Sequence, residues 1–207
     1  MPRNYVSLFG SGGDFLPSGG GGPFTVEFGE RAGSDFGGTQ DAYLLSGFPD
    51  TNFSSETTAA GPVLAKWALS NIAGPVTVTD AFITINVTSG GSGGFTINPR
   101  KVLRNWVEAQ ATWNVWSTGN NWTTAGCLSD GNDRSATNSC DIVYPGGFAT
   151  GDIVSTNNTQ LIADVENLIN NPSNNFGWLV DVSGVSIALP ANATASLRPI
   201  LTVTYTT

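Results

Sequence analysis

Alternating apolar and polar residues dominate the chain from about residue 40 onward. The longest run is Val76-Thr-Val-Thr-Asp-Ala-Phe-Ile-Thr-Ile-Asn-Val-Thr88, where β-branched residues recur with a period of two. Successive side chains of a strand point to opposite faces, so this run predicts a half-buried β-strand. Shorter strands are predicted at Asp41–Leu45, Val63–Leu69, Phe95–Ile97, Gly177–Val182 and Leu201–Tyr205. Pro49-Asp-Thr-Asn52 reads as a turn, and Ser89-Gly-Gly-Ser-Gly-Gly94 as a turn that returns the chain into Phe95-Thr-Ile97. One segment changes period: Leu161, Ile162, Val165, Leu168 and Ile169 fall at helical spacing. This predicts a helix over 160–170 that covers an end of the molecule, with Thr159 as N-cap and Asn171-Pro172 as its stop. Short strands separated by frequent turns imply an all-β, jelly-roll-type antiparallel β-sandwich with one short helix.

Residues 1–39 differ from the rest and are read as a glycine-rich N-terminal arm, with the sandwich domain at 40–207. Gly10-Ser-Gly-Gly13 and Gly19-Gly-Gly-Gly-Pro23 are flexible-linker sequences. The apolar residues Phe15 and Leu16, and the alternating Phe24-Thr-Val-Glu-Phe28, are its candidate contact points. The arm holds too little apolar surface to fold alone, so Phe15, Leu16, Phe24 and Phe28 are expected to dock on the domain or on a neighbouring copy. The first ten residues lack the apolar run of a signal peptide, and no segment approaches the length of a membrane-spanning helix.

Composition narrows the function. The chain has 207 residues, of which 40% are hydrophobic and only 12% charged, so a core is available but the surface must rely on Ser, Thr, Asn and Gly. Net charge is −8 with eight scattered basic residues, which argues against nucleic acid and against anionic membranes. There is no histidine, so Ser-His-Asp and Cys-His chemistry is excluded. The carboxylates could still support glycoside hydrolysis, but no motif proposes a pair, and the chain is read as non-catalytic. No cofactor is expected. Asp130-Gly-Asn-Asp133 resembles part of a calcium loop but lacks the further oxygen ligands and the bidentate Glu, so the default reading is a solvated turn. Cys127 and Cys140 flank a polar loop and are read as a disulfide, worth about 3 kcal/mol for a loop of this size; two unrelated thiols are the alternative.

Four of the six tryptophans lie between Leu103 and Cys127. Trp113 is read as a core residue on a strand, and Trp106 as a cap on the sandwich. Glu108 is read as a partner for Arg104 or for a backbone amide. Trp116 and Trp122, with Asn121, sit in a polar loop and are the candidate carbohydrate platform, since flat rings stack on sugars; a loop folded over the core is the competing state. Asp41 and Asp50 are read as caps on backbone amides.

Several pieces together resemble the DNRLRE domain family. They are Asp41-Ala-Tyr43, Pro49-Asp-Thr-Asn-Phe53, Trp106-Val-Glu108, Ala111-Thr-Trp-Asn114, Trp122-Thr-Thr-Ala-Gly126, Asn170-Asn-Pro-Ser-Asn-Asn175 and Arg198-Pro-Ile-Leu-Thr-Val-Thr-Tyr205. The resemblance spans about residues 40–207 and implies a non-catalytic β-jelly-roll of the kind found in secreted bacterial proteins, some of which bind polysaccharides. The chain departs from it at Lys66-Trp67, where the family often has Arg followed by an aliphatic or aromatic residue, in the Cys127–Cys140 loop, and in the glycine-rich arm.

Two functions are compatible with this sequence. One is a structural virion protein, a capsid-decoration or tail-associated subunit at the virion surface, whose partners are other virion subunits or copies of itself. The other is a carbohydrate-binding module of a secreted or cell-surface bacterial protein. The two can coexist on a phage surface that holds glycans weakly and many times over.

Overall fold

The alternating segments pair into two principal antiparallel sheets, described by a computed structural model covering residues 22–207. In chain order the strands are β1 (Phe24–Gly29), β2 (Gln40–Tyr43), β3 (Thr58–Ala59), β4 (Pro62–Lys66), β5 (Thr77–Gly90), β6 (Phe95–Ile97) and β7 (Arg100–Lys101). They continue with β8 (Val115–Ser117), β9 (Asn120–Asn121), β10 (Ile142–Tyr144), β11 (Gly151–Val154), β12 (Trp178–Asp181), β13 (Val185–Ala188) and β14 (Ile200–Thr206). The helix α1 spans Thr159–Asn170. The larger sheet runs β1-β14-β5-β13-β3, with β11 also pairing β5; the smaller runs β2-β4-β12-β7. This is the all-β sandwich architecture the sequence pattern predicts.

The long strand β5 shows how pattern becomes packing. Val76 and Val78 are buried, then Ala81, Ile83, Ile85 and Val87, so the buried phase slips from even to odd positions. The slip is a β-bulge: Thr204 of β14 pairs Asp80 while Tyr205 pairs Val78, leaving Thr79 unopposed. The buried set meets Val63 and Ala65 of β4 and Trp178 and Val180 of β12 across the main core. Burying such alternating faces is the principal stabilising term of a sandwich.

Helix α1 closes one end. Leu161, Val165, Leu168 and Ile169 enter the core, as the periodicity predicts. Thr159 is its first helical residue, and Asn158 takes the cap position. Glu166 accepts the Val78 amide at 2.8 Å, and Asn170 pairs with both the amide and the carbonyl of Val76.

One expectation changes. Phe95–Ile97 does not return against β5; it pairs with β10, while β5 takes β14, β13 and β11. Strands β10, β11 and β13 are too short to stand out as alternation and gain their place from long-range pairing. Of the two docking partners expected for the arm, Phe24–Gly29 takes its own domain: it is the edge strand of the larger sheet, in register with β14 from Phe24↔Tyr205 to Gly29↔Ile200. Phe28 is fully buried against Phe36, and Phe24 stacks on Tyr205 with centroids 5.7 Å apart. Phe24 and Phe28 therefore serve their own domain, whereas Phe15 and Leu16 lie outside the described residues.

Candidate functional site

The smaller sheet is buried on both faces. Register places Ala42 opposite Leu64 and Leu64 opposite Leu179. With Leu44, these side chains point away from the main core into a second apolar cluster. The tryptophan-rich segment is the cover of that cluster. Val102, Trp106, Ala111, Trp122 and Cys127 are buried in it, and Trp113, Trp116, Leu128 and Phe176 pack against its margin.

The polar tips of the two buried tryptophans of this cover have partners inside the chain. The Trp106 indole N–H donates to the Phe176 carbonyl at 2.8 Å, and that of Trp122 to the Thr112 carbonyl at 3.0 Å. The Thr112 hydroxyl accepts the amides of Asn114 and Val115. Asn52 donates to the carbonyls of Glu108 and Ala111 at 2.7 and 2.8 Å. Asn114 donates to Asp50 at 2.8 Å, so Asp50 holds a side-chain amide and not the backbone amide expected of it. Glu108 accepts the Asp41 amide at 2.9 Å, the backbone-amide role read from the sequence. The Lys66 ammonium lies 5.3 Å from the Trp106 ring centroid, a cation–π contact on the same cover.

The residues proposed for a sugar platform are not brought together as one. Trp122 is only 5% exposed and Trp116 is half-buried, while Asn121 is exposed on the β8–β9 hairpin opposite Val115. Sugar stacking needs an open ring face, which Trp122 lacks. Trp113 also differs from expectation: it sits half-buried in a bend, outside any strand and outside the main core. Its ring lies where a Cβ on Gly126 would project, and Gly126 itself has φ +80°, a conformation glycine adopts without strain.

Two exposed aromatics were missed from sequence, Phe148 at 69% and Phe48 at 60%. Phe48 stands in the turn before Pro49, edge-on to Phe53 at 6.2 Å, which in turn meets Tyr43 at 6.1 Å. An aromatic set among turn residues (Gly47-Phe48-Pro49) is the signal that could have found it.

The proposed disulfide is corrected: Cys127 and Cys140 are free thiols. Cys127 belongs to the cover cluster and Cys140 to the main core, on opposite faces of the smaller sheet. The loop between them is fixed by backbone bonds along β7, from Leu103 to Asp133, Ser135 to Lys101 and Ser139 to Pro99. Burial pushes both thiols up, that of Cys140 to about 12.

The calcium-like loop uses its carboxylates on its own chain. Asp130 bridges Arg100 and Arg134 at 2.7 Å each, and hydrogen bonds from Arg134 and Arg100 hold its carboxyl below the usual value. Asp133 is fully buried. Burial pushes its carboxyl up, and the amides of Thr124 and Thr123, with the Thr123 hydroxyl and Arg104, more than reverse this. Among the described residues no three His, Cys, Asp or Glu side chains gather as a metal site.

Cations are engaged in the same way. Arg31 forks onto Asp152, Lys101 meets Asp164 at 2.7 Å, Arg104 meets Asp133, and Arg198 donates to the carbonyls of Asn192 and Glu30. Asp164 also accepts Ser139, whose hydroxyl accepts the Trp178 indole. Ser139 is fully buried, so this network braces the interior and offers no nucleophile to a substrate. The chain matches no family model and no curated protein.

Proposed function

We propose that the protein is a non-catalytic structural subunit of a virus or phage particle, a capsid-decoration or tail-associated sandwich. In this reading it sits on the virion surface and assembles with other virion subunits or with copies of itself. The position of β1 carries the reading. It is an edge strand whose outer side, among the described residues, is open only at its start around Thr25; from Glu27 on it is covered, the amides of Asp35 and Phe36 reaching the Glu27 carbonyl, the Glu27 amide donating to Asp35 and the Gly29 amide to the Phe36 carbonyl. The part that begins at Phe24 follows directly on Gly19-Gly-Gly-Gly-Pro23. An open edge next to a glycine-rich run suits pairing with a strand of another chain. On the outer face of this sheet Thr25, Thr202 and Thr204 lie beside Glu27 and Asp80, with the Thr25 and Thr204 hydroxyls 2.9 Å apart.

The sandwich is further read as a DNRLRE-like jelly roll. Support comes from the meeting of the motif pieces: Asn52 and Asp50 of the first turn hold Ala111 and Asn114, and Glu108 holds Asp41. Deleting residues 1–22, which removes the glycine-rich run and leaves β1 whole, together with Thr25→Pro, which blunts the open edge of β1, tests the assembly reading. Loss of particle binding with an unchanged melting temperature is expected; unchanged stoichiometry on the particle overturns it.

A specific observation favours a second reading, carbohydrate binding, at a place other than the tryptophans. Phe48 is an open ring beside Asp50 and Asn114, groups that can hydrogen-bond hydroxyls. Because the described cations are engaged internally, neutral glycans fit better than acidic ones. A glycan array with wild type, Phe48→Ala and Trp116→Ala tests this; absence of any millimolar binding, or binding indifferent to Phe48, counts against it.

A further inference from the structure

We propose that copies of this chain join head to tail, the exposed Phe148 ring of one copy seating in the groove between the turn at 72–75 and the end of α1 on the next. The inference rests on the reading that copies of the chain meet, and gives that meeting a surface other than β1. Phe148 is 69% exposed, the most open large apolar side chain among the described residues. Its backbone sits at φ +59°, a left-handed conformation that strains a bulky residue. A frame holds it there. The amides of Gly147 and Phe148 donate to the carbonyls of Ser92 and Gly91 at 2.9 Å each, and the Tyr144 hydroxyl also donates to Gly91 at 2.9 Å. The glycine-rich turn after β5 is thus the base on which the ring is raised. A ring so held adds nothing to the core, and its use lies outside the fold.

The groove lies at the opposite end of β5. Ile72, Pro75, Ile169 and Pro172 form its apolar wall, Ser70 and Asn170 add polar positions, and it holds about 420 Å³ open to solvent. Asn170 fastens it to Val76, one residue before β5, whereas Phe148 is bonded to Gly91, one residue after. β5 has 14 residues, so ring and groove stand roughly 45 Å apart at about 3.3 Å per residue. A copy therefore does not fill its own groove. The two surfaces differ, so the contact is heterologous. Each step leaves a free ring and a free groove, which grows a closed ring of subunits or a filament, not a two-fold dimer.

Charge selects the partner. The chain carries a net charge of −8, yet neither the segments 89–94 and 144–151 around the ring nor the groove residues include a charged side chain. Two copies repel least where these ends meet. A sugar is a poorer occupant of the ring, whose chain neighbours Gly146, Gly147 and Ala149 offer no side chain to hold hydroxyls. An anionic membrane is disfavoured by the net charge. One seated phenylalanine buries about 150–250 Å², well below the roughly 1,200–2,000 Å² of a stable interface. The contact is therefore weak between free copies, with a dissociation constant of roughly 0.1–1 mM expected, and gains strength where it repeats along a particle.

The test is analytical ultracentrifugation of the full chain from about 0.05 to about 2 mM. The weight-average mass of wild type is expected to rise across this range. Phe148→Gly relieves the strained backbone, so it should melt no lower than wild type while self-association weakens roughly tenfold or more. Ala73→Asp puts a charge on an exposed residue of the groove and should weaken association as much; Ser70→Asp, also exposed, replaces it if it does not fold. Mixing the ring variant with the groove variant leaves one intact ring and one intact groove, so dimers and nothing larger are expected. Thr25→Pro is expected to leave this association unchanged, so failure here is distinguishable from failure of the β1 reading. A wild type that stays monomeric, association retained in either variant or lost in Thr25→Pro, or a mixture that stays monomeric or grows beyond dimers overturns the proposal.

Discussion

Replacing Trp122 by alanine separates a sealing role from a binding role. The ring is 5% exposed in the cluster formed with Leu64, Leu179 and Trp106, and its N–H donates to the Thr112 carbonyl at 3.0 Å. Truncating a buried Trp costs about 3–5 kcal/mol through lost contacts and the cavity left behind. The abandoned Thr112 carbonyl adds about 1–3 kcal/mol if water does not reach it. Trp122→Ala is therefore expected to destabilise the fold by about 4–8 kcal/mol, or roughly 10–30 °C in Tm for a chain of this size. Trp122→Phe keeps most of the apolar surface and loses only the hydrogen bond, so about 1–2 kcal/mol is expected. Urea unfolding followed by tryptophan fluorescence and by far-UV circular dichroism measures both. A Trp122→Ala protein within about 1 kcal/mol of wild type would refute the sealing argument, because a residue that costs so little on removal cannot be closing a core.

Further expectations rest on other contacts. Cys127 and Cys140 should react with a thiol reagent only after unfolding, and the mass of the intact chain should be the same with and without reductant; a two-dalton difference would restore the disulfide. Removing the Asp164 carboxylate by Asp164→Ala strands the Lys101 ammonium and the Ser139 hydroxyl, and about 3–5 kcal/mol of stability should be lost in a denaturant titration. Asp133 is held below the ordinary carboxylate value, so its contribution is present above about 3.8 and lost as pH falls below that. Melting curves from pH 5 to 2.5 should accordingly fall more steeply for wild type than for Asp133→Asn. Gly177→Ala should prevent folding or lower Tm sharply in differential scanning fluorimetry: φ there is +69°, and a Cβ would run into the Ala65 carbonyl.

The parts legible in the sequence are those governed by neighbours along the chain. Alternation located β5 and β14, and helical spacing located α1 with the buried residues Leu161, Val165, Leu168 and Ile169. Even the bulge at Thr79 is written in β5, where buried positions shift from Val78 to Ala81. The partner of Phe95–Ile97 was not legible, because a glycine-rich turn permits a hairpin without requiring one, and the competing pairings of β5 are with strands far away in sequence. The candidate site was legible only as a composition. Four tryptophans among polar residues are equally the makings of a platform or of a cover, and nothing local distinguishes them.

By itself, then, the sequence determined an all-β sandwich with a helical end-piece and a chain without histidine chemistry, since period and residue type are local properties. Tertiary structure alone decided what lies opposite each face. It turned Trp106 and Trp122 inward over Leu64 and Leu179, placed Cys127 and Cys140 on opposite sides of the smaller sheet, drew Phe28 into the core, and left Phe48 in the open. A side chain's role depends on the surface it meets, and that surface is supplied by residues remote in the chain.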